Sequence, residues 1–104
     1  MIDTRRYDKK LRNIYLGYLV RLLHKKYFVA MSPLAKKLGL NANYFRDFTK
    51  GDKRISEERL DLLEELLNDL YGSLLVDEVP QNRIEFNDFI NTLSDSLIYK
   101  EIIR

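Results

Sequence analysis

The sequence predicts an all-α fold, a compact domain of five helices. The chain has 104 residues, which suits one domain, and 45% of them are apolar, enough for one small core. Apolar residues recur at spacings of three and four along most of the chain, which is the period of amphipathic helices. No repeat, low-complexity tract or domain linker separates these stretches. We therefore expect a single helical domain over residues 1–104.

The first predicted helix runs from about Thr4 to Phe28, with Asp3 or Thr4 as its cap. Its apolar stripe includes Tyr7, Leu11, Ile14, Tyr18 and Leu22. Basic side chains occupy mostly other positions and form either a solvated face or a phosphate-facing one: Arg5, Arg6, Lys9, Lys10, Arg12 and Arg21. Gly17 costs up to about 1 kcal/mol inside a helix relative to Ala. A close helix crossing would explain this glycine, and so would simple tolerance.

A short second helix is predicted to follow. Ser32 is a good cap for a helix that Pro33 opens at its first position, where the missing N–H costs nothing. Leu34 and Leu38 are four residues apart and share one face. Ala35 lies beside that face and is small, so another helix can approach closely there.

Only three residues are then left to turn the chain, starting with Gly39, which suits the left-handed position that commonly ends a helix. Asn41 is a good cap for a third helix, and Leu40 stands five positions before Phe45, the spacing of a hydrophobic staple. Phe45 and Phe48 are expected to face inward. The two short helices span about residues 32–38 and 42–49.

The fourth predicted helix begins after Ser56, a strong cap, with Glu57 and Glu58 in the first turn, where they complement the helix dipole. Leucines continue at helical spacing up to Tyr71, and Gly72 is well placed to end the helix. We expect this helix to be acidic outside and apolar inside, its leucines being Leu60, Leu63, Leu66, Leu67 and Leu70.

The last part of the chain divides into a predicted loop over residues 73–83 and a fifth helix from about Ile84 to the end. So apolar a helix either covers the remaining side of the core or packs against another chain, and the two options are compatible. The predicted dimerisation residues are Phe89, Leu93, Leu97, Ile98 and Ile102.

The two short helices resemble a known family. The residues that carry the resemblance are Leu34, Ala35, Leu38, Gly39, Leu40, Phe45, Phe48 and the closing Lys50-Gly51. Together they resemble the phage-repressor or Xre-type helix-turn-helix family, and Lys53-Arg54-Ile55-Ser56 looks like that family's loop into its fourth helix. The resemblance covers roughly residues 8–71. It departs at Met31, Ser32 and Pro33, where the family usually has a polar side chain, often Gln, that touches a phosphate.

The resemblance implies binding to double-stranded DNA, with the third helix in the major groove. Its candidate base-reading residues are Ala42, Asn43, Tyr44, Arg46 and Asp47. An amide such as that of Asn43 pairs bidentately with adenine. Tyr44 is long enough for a phosphate or a base, or it covers the core. Asp47 near phosphates is repelled unless it accepts from cytosine or braces Arg46.

Phosphate contacts are expected from residues that flank the third helix: Ser32, Lys36, Lys50, Lys53 and Arg54. The distribution of charge agrees with this expectation. Residues 1–54 hold 14 Lys or Arg and 4 Asp or Glu, a net charge of +10, whereas residues 55–104 hold 4 and 12, a net charge of −8. Such a split points to nucleic-acid contact by the basic half, although solvated charged helix faces are common.

Enzymatic and cofactor-dependent functions are not predicted. The chain has no cysteine, and His24 is its one histidine, so no second imidazole is available to share a metal. Neither a Gly-rich phosphate loop nor a facing pair of carboxylates is recognisable, and no small-molecule ligand is indicated. The charged first residues and the lack of about 18 consecutive apolar residues predict a cytoplasmic protein without a secretory signal or membrane span.

The sequence therefore predicts a DNA-binding transcriptional regulator, most simply a repressor that binds a palindromic operator as a homodimer. Two alternatives stay open. One is an inhibitor or antirepressor that uses a helix-turn-helix scaffold, or its acidic second half, to bind another protein. The other is an accessory DNA-binding protein of plasmid or phage replication or partition.

Overall fold

The computed structural model describes residues 2–80 and 82–98, and the side chains of these residues up to Thr92. It contains five helices, which confirms the all-α fold class: α1 (Lys9–Tyr27), α2 (Met31–Lys37), α3 (Ala42–Thr49), α4 (Glu57–Leu75) and α5 (Arg83–Ile98). The described residues form no strand. The radius of gyration of 12.7 Å is that of a compact domain of about 100 residues.

Helix α1 is the centre of the fold and contacts α3, α4 and α5, while α2 packs on α3. Its fully buried side chains form the middle of the core and include Tyr15, Leu16, Leu19, Val20 and Leu23. Burial raises the pKa of the Tyr15 phenol, whose hydroxyl has no hydrogen-bond partner in the described part of the chain. Helix α1 thus positions α3, α4 and α5, the three helices that pack against it.

The predicted start of α1 was wrong, because the helix begins at Lys9 and is capped by Asp8, whose carboxylate accepts from the Leu11 N–H. Thr4 is not a cap but a buried residue. Its N–H and its hydroxyl both donate to Glu64 Oε1, each over 2.6 Å. The segment before α1 is therefore held against α4 by polar contacts between residues sixty positions apart.

Arg12 lies on neither a solvated nor a phosphate-facing surface, since its side chain is buried. Its Nε donates to the Thr4 hydroxyl over 3.1 Å, and its Nη1 donates to Glu57 Oε2 over 2.8 Å. Nη2 lies 2.8 Å from Asp61 Oδ1, an ion pair without hydrogen-bond alignment. Arg12 thereby joins α1 to the first turns of α4.

Two further helix boundaries differ from the prediction. Helix α2 begins at Met31 after Ala30, so Ser32 makes no capping hydrogen bond and Pro33 is the third helical residue. Helix α4 continues through Gly72 to Leu75, so the predicted loop begins three residues later. Leu75 is fully buried, and the apolar area that it removes from water favours the additional helical turn.

The outer surface of α4 is not purely acidic. Leu70 was predicted to face inward, but it is 60% exposed. Leu60, Leu63 and Leu67 form the inner face and are fully buried. Leu66 is partly buried at the edge of the same core, and Leu62, Leu70 and Leu74 are left exposed on the outer side of the helix.

Gly17 lies where α1 crosses α3, which confirms the close crossing as an explanation for it. A Cβ added there would lie 3.0 Å from the Phe48 carbonyl oxygen and 3.5 Å from the Thr49 Cα. Both of these are backbone atoms, so a side chain at position 17 would push α3 away from α1. The glycine therefore sets the distance at which α3 is held.

Helix α5 packs its first turns on α1. Ile90 is fully buried, and the Phe86 ring meets the Tyr15 ring edge-on with centroids 5.0 Å apart. The connection from α4 is held by Glu78, which accepts from Lys26 Nζ and, over 2.6 Å, from the Tyr27 hydroxyl. These hydrogen bonds, first that of Lys26, lower the pKa of the Glu78 carboxyl. None of the described helices has the length and apolar character that crossing a membrane requires.

Candidate nucleic-acid interface

Helix α3 is fixed by its inner face and by both of its ends. Phe45 and Phe48 are buried, which confirms that they face inward, and their rings pack 5.6 Å apart. Asn41 caps the helix as predicted, since its side-chain oxygen accepts from the Asn43 N–H over 2.8 Å. Beyond the last turn, Gly51 has a φ of 86°, and the Asp52 N–H donates to the Asp47 carbonyl.

The turn before α3 has the predicted geometry. Gly39 has a φ of 70°, the left-handed conformation that favours glycine. The Leu40 N–H donates to the Ala35 carbonyl over 2.9 Å, which closes the end of α2. A short turn of this kind brings α2 directly against α3.

The outer side of α3 exposes three of the five predicted base-reading residues as free side chains: Ala42, Asn43 and Arg46. Asn43 donates to Asn41 through its backbone N–H, and the side-chain amide of Asn43 has no partner among the described residues. Asp47 is partly buried, and within the described chain no ion pair joins it to Arg46. The Asn43 amide and the Arg46 guanidinium can therefore both meet a ligand.

Tyr44 is held by the protein itself. Its hydroxyl donates to the Arg54 carbonyl over 2.5 Å, although the side chain is 36% exposed. This contact was not foreseen, because no local pattern indicates that a residue ten positions away accepts from Tyr44. It ties the first turn of α3 to the loop that follows the helix.

A second contact fixes the same loop from α1. The Ile55 N–H donates to Asn13 Oδ1 over 2.8 Å, and Asn13 Nδ2 donates to the Lys9 carbonyl and, over 3.4 Å, to the Ile55 carbonyl. Asn13 is 4% exposed and Ile55 is 3% exposed, so water competes little for these bonds. Tyr44 of α3 holds Arg54, and Asn13 of α1 holds Ile55, so two consecutive loop residues are hydrogen-bonded to two different helices.

The predicted phosphate-binding residues lie on α2, which packs on α3, and on the segment that follows α3. Ser32 and Lys36 are exposed on α2, and Lys53 and Arg54 are exposed on the loop. Lys50, at the end of α3, is partly buried. No ion pair of the described residues engages the side chains of Lys36, Lys53 and Arg54. Their charges are thus available to an anionic partner.

The predicted dimerisation residues are described only in part. Phe89 is partly buried against its own chain, with ring centroids 5.7 Å from Tyr18 and 6.1 Å from Tyr15. The side chains of Leu93, Leu97 and Ile98, and all of Ile102, lie outside the described residues.

In the described ranges, no group of three or more His, Cys, Asp or Glu residues is arranged to hold a metal ion. The exposed His24 has its Nδ1 2.9 Å from the Val29 carbonyl oxygen. Comparison of this chain with protein-family models, with curated proteins and with solved structures gives no match.

Proposed function

We propose that this chain is a sequence-specific DNA-binding transcriptional regulator of the phage-repressor or Xre helix-turn-helix type. It acts as a repressor in the cytoplasm and binds a palindromic operator as a homodimer. Helix α3 enters the major groove, and α2 lies across the backbone.

The observation that carries this proposal is the exposed face of α3. The helix buries Phe45 and Phe48 and leaves Asn43 and Arg46 with free polar ends. These two side chain types supply the bidentate contacts that distinguish adenine and guanine in the major groove. Their helix is capped and packed, so its backbone needs little further ordering on binding.

The surroundings of α3 support the same function. Lys36, Lys53 and Arg54 carry charges without ion-pair partners in the described part of the chain, and two side-chain contacts hold the loop that carries the last two. Phosphate contacts of this kind position a protein on DNA, and each one releases counterions. Binding is therefore expected to weaken steeply as salt rises.

Dimerisation follows from the small size of the reading surface. One helix of this length reads only a few base pairs, and two half-sites about one helical turn apart supply the missing specificity. The last part of α5 is the proposed contact between subunits. Leu97→Asp is expected to convert a dimer to a monomer in sedimentation, with helix content by circular dichroism near normal. Wholesale unfolding would instead assign Leu97 to the core.

The deciding experiment is selection of bound sequences from a random duplex pool at two salt concentrations. An inverted repeat is expected among the selected sequences, with weaker retention at the higher salt concentration. A selected pool without any common motif, together with DNA retention that does not respond to salt, would contradict the proposal.

A further inference from the structure

The outer side of α4 carries a row of leucines four residues apart, Leu62, Leu66, Leu70 and Leu74, which we call the leucine ladder. Leu62 is 39%, Leu70 60% and Leu74 37% exposed, and Leu66 is partly buried. The inner face of the same helix already supplies the core with Leu60, Leu63, Leu67 and Leu75. Leu66 also packs against the edge of this core, whereas Leu62, Leu70 and Leu74 are exposed and additional to it.

A contiguous apolar row on a helix surface is typical of a protein-binding site. Residues four apart are neighbours on a helix surface, so the ladder forms a continuous ridge that turns by about 40° around α4 at each step. From Leu62 to Leu74 it is about 18 Å long, since a helix rises about 1.5 Å per residue. This length matches about three turns of a second helix.

The charges beside the ladder are negative. At about 100° per residue, Glu58, Glu65 and Asp69 form a row along the side of the ladder that faces away from the core. All three carboxylates are exposed, and none of them takes part in an ion pair within the described residues. The nearby Arg59 is held in place by the hydrogen bond that its Nε donates to the Leu38 carbonyl over 2.9 Å, and it sets one positive charge against the three carboxylates.

This charge pattern distinguishes between possible partners. A second copy that docked its own ladder here across a two-fold axis would bring the same acidic rows together. Like charges in such contacts are repulsive, whereas a row of Lys or Arg would pair with the carboxylates. Charge complementarity therefore selects a cationic partner over a second α4.

We propose that the leucine ladder and its acidic row bind a basic amphipathic helix of another protein. Apolar side chains of that helix at positions i, i+4 and i+8 pack between the leucines, and its Lys or Arg residues meet Glu58, Glu65 and Asp69. This is the mode in which an amphipathic helix docks by one face. The proposal concerns a surface on α4 and does not depend on DNA binding by α3.

The test uses the full chain and a synthetic peptide of 16 residues with Leu at every fourth position and Lys beside the leucines. A control peptide keeps the leucines and has Glu in place of Lys. In calorimetric titration, the basic peptide is expected to bind, and the acidic peptide is not. Leu70→Ser is expected to weaken binding by at least about tenfold, as for a central interface residue. The control is Ile84→Ser, which changes an apolar residue on α5 that is 73% exposed, against 60% for Leu70, and is expected to leave binding unchanged.

Three outcomes would overturn the proposal. One is equal binding of the two peptides, and another is an equal loss of affinity in the Leu70 and Ile84 variants. The third is a homodimer that Leu70→Ser dissociates in sedimentation, because the ladder would then belong to a second copy. Circular dichroism and thermal unfolding show whether the Leu70→Ser variant is folded, and since neither measurement needs DNA, this test stays separate from that of the proposed function.

Discussion

Helices α3 and α4 bury phenylalanines or leucines in the same core, yet their outer faces differ in kind. The outer face of α3 carries an amide and a guanidinium, with lysines and an arginine beside it. The outer face of α4 carries leucines and carboxylates. The net charge of +2 hides this division, because the two charged surfaces nearly cancel. The comparison indicates two surfaces that suit two chemically different partners.

The basic half of the sequence and the acidic helix α4 meet at Arg12 of α1. Arg12 belongs to the basic half of the sequence, but its guanidinium forms ion pairs with Glu57 and Asp61 at the start of α4. Both carboxylates are more than half exposed, whereas the guanidinium is 2% exposed. A cation in the basic half is therefore not automatically part of the basic surface, and α3 and α4 can be perturbed separately.

Gly17→Leu is expected to have the largest effect and to act on the α3 side. A leucine would collide with the backbone of Phe48 and Thr49, so α3 must move. We expect a loss of about 3 kcal/mol in the free energy of unfolding, the upper end of usual overpacking costs. Urea denaturation followed by circular dichroism measures it.

Gly72→Ala is the matched control on α4. A Cβ there meets no atom within 4 Å, and the position is inside the helix. The variant is expected to be more stable by up to about 1 kcal/mol, because alanine favours the helix. Similar losses of stability in both glycine variants would contradict the close crossing of α1 and α3.

The junction at Arg12 is tested by removing its carboxylates. Glu57→Gln with Asp61→Asn removes both ion-pair partners of a buried cation. Because both carboxylates are more than half exposed, we expect a loss of about 2 to 3 kcal/mol in the free energy of unfolding, somewhat less than for a fully buried pair. Arg12→Met leaves two carboxylates that water already reaches and a Thr4 hydroxyl that keeps its hydrogen bond to Glu64, so it is expected to cost less. Thermal unfolding compares the two variants.

Glu58→Gln controls for the helix dipole, since Glu58 also lies in the first turn of α4 but is exposed and outside the ion pairs of the described residues. It is expected to cost a few tenths of a kcal/mol, about the value of one exposed charge at a helix N-terminus. If Arg12→Met proved more damaging than the double carboxylate variant, our account of this junction would be wrong.

The contacts of the α3 surface are separated by two alanine substitutions. Asn43→Ala removes a base contact. We expect it to weaken the free energy of operator binding by on the order of 1 to 3 kcal/mol and to relax the preference at one base position. Lys53→Ala removes a phosphate contact and is expected to weaken all sequences about equally. Binding to the selected operator and to single-base variants of it measures both. A sequence-selective loss in Lys53→Ala would contradict the division into base and phosphate contacts.

The fold class and the position of α3 along the chain could be predicted from the sequence because the signals for both are local. The boundaries and the buried face of α3 depend on caps and helical periodicity, which act within a few residues of the chain. The residues concerned are Gly39, Asn41, Phe45 and Phe48. The five-helix architecture followed from the same periodicity.

The remaining features depend on contacts between distant residues. Thr4 could have capped a helix, but Glu64 accepts from both of its donors instead. Arg12 resembled its exposed neighbours until α4 supplied two carboxylates. Leu70 fits the helical period equally well inside or outside, and only the position of the core places it outside. Periodicity gives the faces of a helix but not which of them is buried.

Apart from the control variants, the smallest expected effect tests the link between the two ends of the α3 surface. Tyr44→Phe removes the hydrogen bond to the Arg54 carbonyl and keeps the ring, so we expect a loss of about 0.5 to 1.5 kcal/mol in stability. If Tyr44 only positions the loop, DNA affinity falls to a similar extent for every sequence, while base preference is retained. Amide hydrogen exchange in residues 50–56 is expected to accelerate, whereas exchange in α4 stays the same. A change in preferred sequence without faster exchange would instead make Tyr44 a base-reading residue, and the loop would then owe its position to Asn13 alone.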